Sequence, residues 1–266
     1  MSDRVARQAS SGEAAALARL YDADVAEDPG DLDLYLALAG RTGGPILELA
    51  VGTGRLAVPL ALAGHAVTGV DRDPAMLERA RAAVERAGSG AGRLVLVEAD
   101  LVGLRLPDAG AFRLGFIALN SFLLLATRDA QREALRTLAR HLAPGGLAVV
   151  DVWLPDADDL ARLDGRLILE YAGRPTDDGR VLTKLGSAIH DPSTQVVTLT
   201  TIYDEGRPGE PAVRWLRTDR LRLVSADELR ALAEDVGFEI ETVAGGYGLD
   251  PAGPTGERAI LVAVRP

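Results

Sequence analysis

Residues 46–64 read ILELAVGTGRLAVPLALAG. A short apolar run broken only by Glu48 enters a turn with glycines at 52 and 54, and apolar residues at helical spacing follow from Leu56. Strand, turn and helix in that order form the opening unit of a parallel, helix-covered sheet. Gly52 and Gly54 let the backbone take positive φ or approach a ligand closely. The free N–H groups at the start of the helix favour a polar or anionic group against the turn. Pro59 is compatible with this helix, because the earliest N–H groups have no intrahelical partner to lose.

Outward from this unit the alternation continues. Helix 56–63 is followed by a strand at 66–70, a helix at 74–86 and a strand at 94–98. A strand at 114–119, a helix at 129–141 stopped by APGG and a strand at 147–152 come next. Upstream, residues 13–21 and 32–39 have helical spacing and predict two helices ahead of the sheet. Downstream the rhythm breaks. RLILEYAG, RVLTKLGSAIH, TQVVTLTTIYDE and AVRWLRTDRLRLV are β-rich segments separated by turn signals such as DPS and GRPGEP, so residues 166–224 predict an inserted antiparallel sheet. SADELRALAEDVGF restores a helix, with Ser225 and Glu228 in a capping-box pattern. Strands at 239–243 and 258–264 bring the main sheet to seven.

Composition narrows the function. With 266 residues, 47% of them hydrophobic, the chain can bury the core of one α/β domain with an insertion. The 29 basic residues against 39 acidic ones give a formal charge of −10, which repels phosphate backbones and makes nucleic acid an unexpected partner. Cysteine is absent, which removes disulfides, thiolate zinc sites and a cysteine nucleophile, and three scattered histidines give no reason to expect a metal. The N-terminus lacks the apolar core of a signal peptide, and no run of about 18 apolar residues occurs. The expectation is a cytoplasmic protein with no membrane partner.

Asp71 ends the second strand, AVTGVD, where a carboxylate accepts hydrogen bonds from both ribose hydroxyls. Asp100 ends the third, LVLVEAD, where it can accept one from an adenine amino group. An adenosine fits across the two strand ends beside the glycine turn. Taken singly, each aspartate also reads as a helix cap or a solvated turn residue.

LELAVGTGR, GVDRDPAML, VEADL, LNSFLLL and LAPGGLAVVDV, in that order over residues 46–152, resemble the successive motifs of class I S-adenosylmethionine-dependent methyltransferases. The resemblance implies an α/β fold: a Rossmann-like seven-stranded sheet of order 3-2-1-4-5-7-6, with strand seven antiparallel. It divides the chain into residues 1–165, with lid helices and the cofactor-binding half, an inserted β segment at 166–224, and a final helix and two strands at 225–266. In small-molecule methyltransferases such an insertion roofs the pocket or joins subunits, so a homodimer through it is expected. The implied cofactor is S-adenosylmethionine, with S-adenosylhomocysteine as product. Glu48, Ala50, Gly52 and Gly54 then surround its methionine and ribose, Asp71 and Arg72 flank the ribose, Met76 meets adenine, and Asp100 and Leu101 lie near the adenine amino group. Tyr21 closes over the cofactor in this reading, helix packing being its alternative. Ala50 stands where the family usually has glycine.

Two competitors remain. From Gly52 the chain gives G-T-G-R-L-A, close to a dinucleotide fingerprint, so an NAD-dependent oxidoreductase is one; Glu48, VEAD and APGG count against it. A non-catalytic cofactor-binding or assembly protein is the other.

Methyl transfer from a sulfonium asks a protein for in-line positioning, exclusion of water and removal of a proton from the acceptor, so no triad is required. The expected acceptor is an amine or hydroxyl of a small molecule. Asn120, at the end of strand four, is placed to orient it beside the cofactor or else to cap the next turn. NSFL departs from the N/D-P-P-Y/F motif of enzymes that methylate nucleic-acid bases. Tyr35, Phe122, Trp153, Tyr203, Trp215 and Arg217 are the candidate acceptor-side residues, with packing as the alternative for each aromatic. His190, at the hairpin turn, is the one candidate base.

Overall fold

A computed structural model describes residues 11–25, 29–176, 179–207, 209–251 and 256–266. The polar start of the chain, Pro208 in the GRPGEP turn and part of the Gly/Pro-rich loop before the last strand lie outside them. Helices α1 (Ser11–Asp24) and α2 (Leu32–Thr42) precede β1 (Ile46–Leu49), α3 (Ala57–Leu62), β2 (Val67–Asp71), α4 (Pro74–Ala87) and β3 (Leu94–Glu98). β4 (Phe112–Ile117), α5 (Arg128–His141), β5 (Leu142–Trp153) and α6 (Ala157–Arg162) follow. Four strands, β6 (Ile168–Pro175), β7 (Val181–Asp191), β8 (Val196–Gly206) and β9 (Val213–Arg222), separate these from α7 (Ala226–Asp235), β10 (Glu239–Ala244) and β11 (Arg258–Val264).

The seven-stranded sheet runs β10-β11-β5-β4-β1-β2-β3, and β11 is antiparallel to both its neighbours. This is the order and the one reversed strand that the family resemblance implies. The winding reverses between β1 and β4, which pair in parallel, so a crevice opens beyond their carboxyl ends. Period two along β1 sends Leu47 and Leu49 into the core under α5 and α7, and Ile46 into the core under α2 and α3. Glu48 shares the face of Ile46, and the same alternation puts Asp151 of β5 on that face beside Leu147 and Val149. Two carboxylates thus occupy positions that the strand pattern reserves for apolar side chains.

The second sheet, β6-β7-β8-β9, is antiparallel throughout and occupies the predicted insertion. Its DPS turn is closed by the Asp191 carboxylate, which accepts from the Ser193 N–H at 2.9 Å and the Thr194 hydroxyl at 2.9 Å. Three local expectations are corrected. β4 stops at Ile117, because Leu119 and Asn120 have φ of 45° and 66° and leave the extended region. Helix α6 escaped the reading of the sequence, although Asp156 and Asp159 close a reciprocal capping box on it. Ser225 does cap α7 through the Glu228 N–H at 3.1 Å, but the Glu228 carboxylate pairs with Arg222 at 2.7 Å, a charged partner that outcompetes a neutral backbone N–H. No helix among the described residues is long and apolar enough to cross a membrane.

Candidate active site and cofactor cleft

A cleft of about 890 Å³, open to solvent, lies at the carboxyl ends of β1, β2 and β3. Tyr21, Ala50, Gly52, Asp71, Arg72, Met76, Asp100 and Leu101 all line it, together with Asp73, Ser121, Leu124, Leu125 and Arg217. Gly52 has φ of 55° and Gly54 of 84°, as the turn requires. Gly54 faces away from the cleft. A Cβ there would meet Val58 at 3.2 Å and Ala80 at 3.4 Å, so this glycine lets α3 and α4 pack closely. Ala50, in the position usual for glycine, also adopts a left-handed φ of 60°. Its methyl group stands in a conformation that costs a non-glycine residue roughly 1–2 kcal/mol.

Asp71 ties two turns together. Its Oδ2 accepts from the Gly52 N–H at 2.8 Å and its Oδ1 from the Asp73 N–H at 2.9 Å. Each oxygen keeps a second lone pair, the capacity that two ribose hydroxyls would use. Asp73 caps α4 by accepting from the Ala75 N–H at 2.9 Å. Asp100 accepts from the Val102 N–H at 2.8 Å, and Arg72 approaches it at 3.9 Å across solvent.

Behind the glycine turn is a buried polar hub. Asp31 is fully buried and holds Arg55 in a two-pronged pair at 2.6 and 2.7 Å. Glu48 is buried beside them with its Oε2 unpartnered, and the Tyr35 hydroxyl is buried without a partner as well. Burial pushes the Glu48 carboxyl well above its ordinary range; Arg55 opposes that shift and Asp31 and Asp71 add to it. Burial likewise raises the Tyr35 and Tyr21 hydroxyls, which keep their protons.

The hub extends to β5 and β11. The Asp151 Oδ1 accepts from Arg258 Nε at 2.8 Å and Nη2 at 2.6 Å, while its Oδ2 accepts from the Leu119 N–H at 3.3 Å and the Tyr247 hydroxyl at 3.2 Å. The Asp151 carbonyl accepts from the Asn120 N–H at 3.1 Å. Burial raises the Asp151 carboxyl, against the pull of Arg258. Asp31, Arg55, Asp151, Tyr247 and Arg258 were not read from the sequence. The legible trace was the placing of Glu48 and Asp151 at core-facing positions of apolar strands.

Asn120 occupies the left-handed turn, and its Oδ1 accepts from the Trp153 N–H at 2.6 Å and Arg258 Nη2 at 3.4 Å. Its carbonyl is therefore committed to the fold, which leaves the amide NH₂ as the group that can meet a ligand. Of the six acceptor-side candidates, Arg217 alone lines the cleft. Tyr35 stacks on Phe116 with ring centroids 4.4 Å apart, and Phe122 is buried in the core on the other face of the sheet. Trp153 packs against that second core. The Tyr203 hydroxyl bonds Asp24, and Trp215 Nε1 donates to Glu205 at 3.3 Å, both on the α1 side of the inserted sheet. A chain with so few aromatics spends them on packing first. His190 is one residue from the end of β7, away from the cleft, with its Nε2 buried and unpartnered, so the geometry does not offer it as a base.

A sheet of this order, entered through a glycine turn and carrying aspartates at the ends of β2 and β3, defines a methyltransferase fold built around a nucleoside cofactor. The family model described as "Methyltransferase domain" matches residues 46–146. The cypemycin N-terminal methyltransferase of a Streptomyces species is 29% identical over 86% of this chain and 84% of its own. The dTDP-4-amino-2,3,4,6-tetradeoxy-D-glucose N,N-dimethyltransferase of Saccharopolyspora spinosa is 31% identical over 53% of this chain and 50% of its own. Among solved structures, the CcbJ methyltransferase of Streptomyces caelestis has a TM-score of 0.72 at 24% identity, covering 90% of this chain and 97% of that one. Residues 46–146 match a methyltransferase domain, the fold is that of the class I S-adenosylmethionine-dependent methyltransferases, and S-adenosylmethionine is the cofactor. These comparisons support neither the NAD-dependent oxidoreductase nor the non-catalytic binding protein.

Proposed function

We propose that this enzyme methylates an amine nitrogen of a small molecule, with amino sugars and free peptide N-termini as the acceptor classes to test first. The observation that carries the choice of amine over hydroxyl is the state of the cleft carboxylates. Asp71, Asp73 and Asp100 each hold neighbouring backbone N–H groups, so they are arranged to receive hydrogen bonds rather than to strip a proton from an acceptor. A hydroxyl acceptor needs such a base, whereas a neutral amine attacks with a lone pair it already has and releases its proton afterwards. The names of the two relatives, one an N-terminal methyltransferase and one an N,N-dimethyltransferase, support the same choice.

The cofactor supplies a methyl group on a sulfonium, already electrophilic. This chain's residues bind and orient. Asp71 takes the ribose hydroxyls, Met76 and Leu101 pack against adenine, and Asp100 receives its amino group. The hub suits the methionine end: the buried, unpartnered Glu48 Oε2 is an acceptor that an ammonium can meet, and the arriving positive charge would favour ionisation of the Glu48 carboxyl. Tyr21, still protonated, covers the cleft and helps to keep water out. The Asn120 amide NH₂ can donate to an oxygen of the acceptor molecule, which leaves the amine lone pair free to attack. Incubation with S-adenosylmethionine and a panel containing an amino-sugar nucleotide, a peptide with a free N-terminus and a phenolic acceptor, read by mass spectrometry, tests this. Methyl gain on an amine-bearing compound is expected; methylation of the phenol alone would overturn the proposal.

A further inference from the structure

The inserted sheet reaches the cofactor cleft by two routes. One is direct: Arg217 of β9 lines the cleft. The other runs through α1, whose Tyr21 lines the same cleft while its neighbours are fastened to the insertion. Asp24, at the last turn of α1, accepts from the Tyr171 hydroxyl at 2.9 Å and from the Tyr203 hydroxyl, and pairs with Lys184 at 2.9 Å. Lys184 is itself held by Glu170 at 2.9 Å. Arg174 donates to the Ala23 carbonyl at 2.9 Å, and Arg19 pairs with the buried Glu205 of β8 at 2.7 Å. Leu17, Leu20 and Ala23 pack with Leu182, Tyr203 and Trp215 in a small core between helix and sheet. On the main-domain side α1 packs along α4, and Asp22 pairs with Arg79 of that helix at 2.5 Å.

Charged donors and hydroxyls converging on one little-exposed carboxylate make a rigid joint, because releasing any of them leaves a polar group unanswered. Tyr21 lies less than one helical turn before that joint, so the position of its ring is tied to the insertion as well as to the main domain. We propose that the inserted sheet is a working part of the cofactor site, and that Asp24 is a positioning residue that holds Tyr21 over the cleft. The insertion then governs how long the cofactor stays bound, in addition to any role toward the acceptor. This rests on the cleft being the cofactor site.

The test is calorimetric titration with S-adenosylhomocysteine, which needs no acceptor. Asp24→Asn, and separately the pair Tyr171→Phe with Tyr203→Phe, are expected to weaken binding by roughly fivefold or more, with faster release, while circular dichroism stays native. In a Tyr21→Ala background the same changes should cost less than about twofold, since the residue they position is gone. Hydrogen exchange should show α1 and β9 protected together on binding in the wild type, and α1 less so in Asp24→Asn. Native-like affinity in both folded variants, or losses that add in full to that of Tyr21→Ala, would overturn the proposal and leave the cofactor assignment standing. Absence of binding by the wild type itself would overturn both.

Discussion

At the adenosine side of the cleft, each aspartate is answered by backbone N–H groups one or two residues away or by the adjoining turn. Behind the glycine turn, Asp31 and Asp151 are answered by side chains from the turn itself, β11 and the loop before it, and the Glu48 Oε2 by none. The first arrangement is local and partly solvated, so each bond contributes modestly and can be exchanged for a ligand's hydroxyl. The second is buried and assembled from distant segments, so losing one member strands a charge out of water. On the proposed reading the contrast separates two duties: the aspartates at the strand ends recognise adenosine, while the hub holds strained backbone in place and offers a carboxyl that a cationic ligand group can meet.

Breaking the hub should therefore do most damage. Asp151→Ala leaves Arg258 without its carboxylate and frees the left-handed turn at Leu119 and Asn120, with an expected loss of about 3–5 kcal/mol in denaturant unfolding. Replacing Asp151 and Arg258 together by apolar residues of similar volume should cost less than Asp151→Ala alone. Equal costs would mean that the pair is not a coupled unit. Next in size, Asp71→Ala should weaken S-adenosylhomocysteine binding by about 1.5–3 kcal/mol, since two turns lose their tie as well as the ribose its acceptors. Unchanged affinity in the folded variant would remove Asp71 from the site.

The same contrast explains what could be read in the sequence. The strands, the glycine turn and the aspartates at the ends of β2 and β3 are encoded over short spans, by period-two apolar runs and by residues beside the turns they shape, whereas strand order, Met76 and Leu101 came from the family resemblance; all four of Asp71, Met76, Asp100 and Leu101 line the cleft. The hub joins residues as far apart as Asp31 and Arg258, and no local pattern links them. Glu48 stood out as a carboxylate in an apolar strand and Asp151 offers the same signal, but their partners are set by tertiary packing alone. Tyr35, Phe122, Tyr203 and Trp215 show the converse: an aromatic near the site in sequence order is still claimed by the core unless something polar draws it out. Asn120 was singled out to orient an acceptor, but its carbonyl is given to Trp153 and Arg258, so only its NH₂ remains for that proposed part.

Smaller effects sharpen the comparison. The Glu48 carboxyl is raised above its ordinary value of 4.5, so the folded state keeps this proton to a higher pH than the unfolded state does. Its contribution to stability is then full below that ordinary value and is lost as pH rises through the folded one. Glu48→Gln should consequently melt above the wild type, by a margin that grows from acidic to mildly alkaline pH, while binding the cofactor more weakly. A margin independent of pH would contradict a buried carboxyl with one oxygen unpartnered. The smallest change expected is Ala50→Gly, which relieves a left-handed alanine at the cost of unfolded-chain entropy, a net gain of about 0.5–1 kcal/mol in thermal unfolding.

The central claim is that this cleft holds S-adenosylmethionine, with Asp71 at one end and the hub at the other. Calorimetric titration of ligand-free wild type, Asp71→Ala and Glu48→Gln with S-adenosylmethionine, S-adenosylhomocysteine and NAD tests it most directly. The account predicts saturable binding of the first two ligands, none of NAD, and weaker binding in both variants. Binding of NAD, or affinities for the methionine cofactors that neither substitution alters, would contradict it.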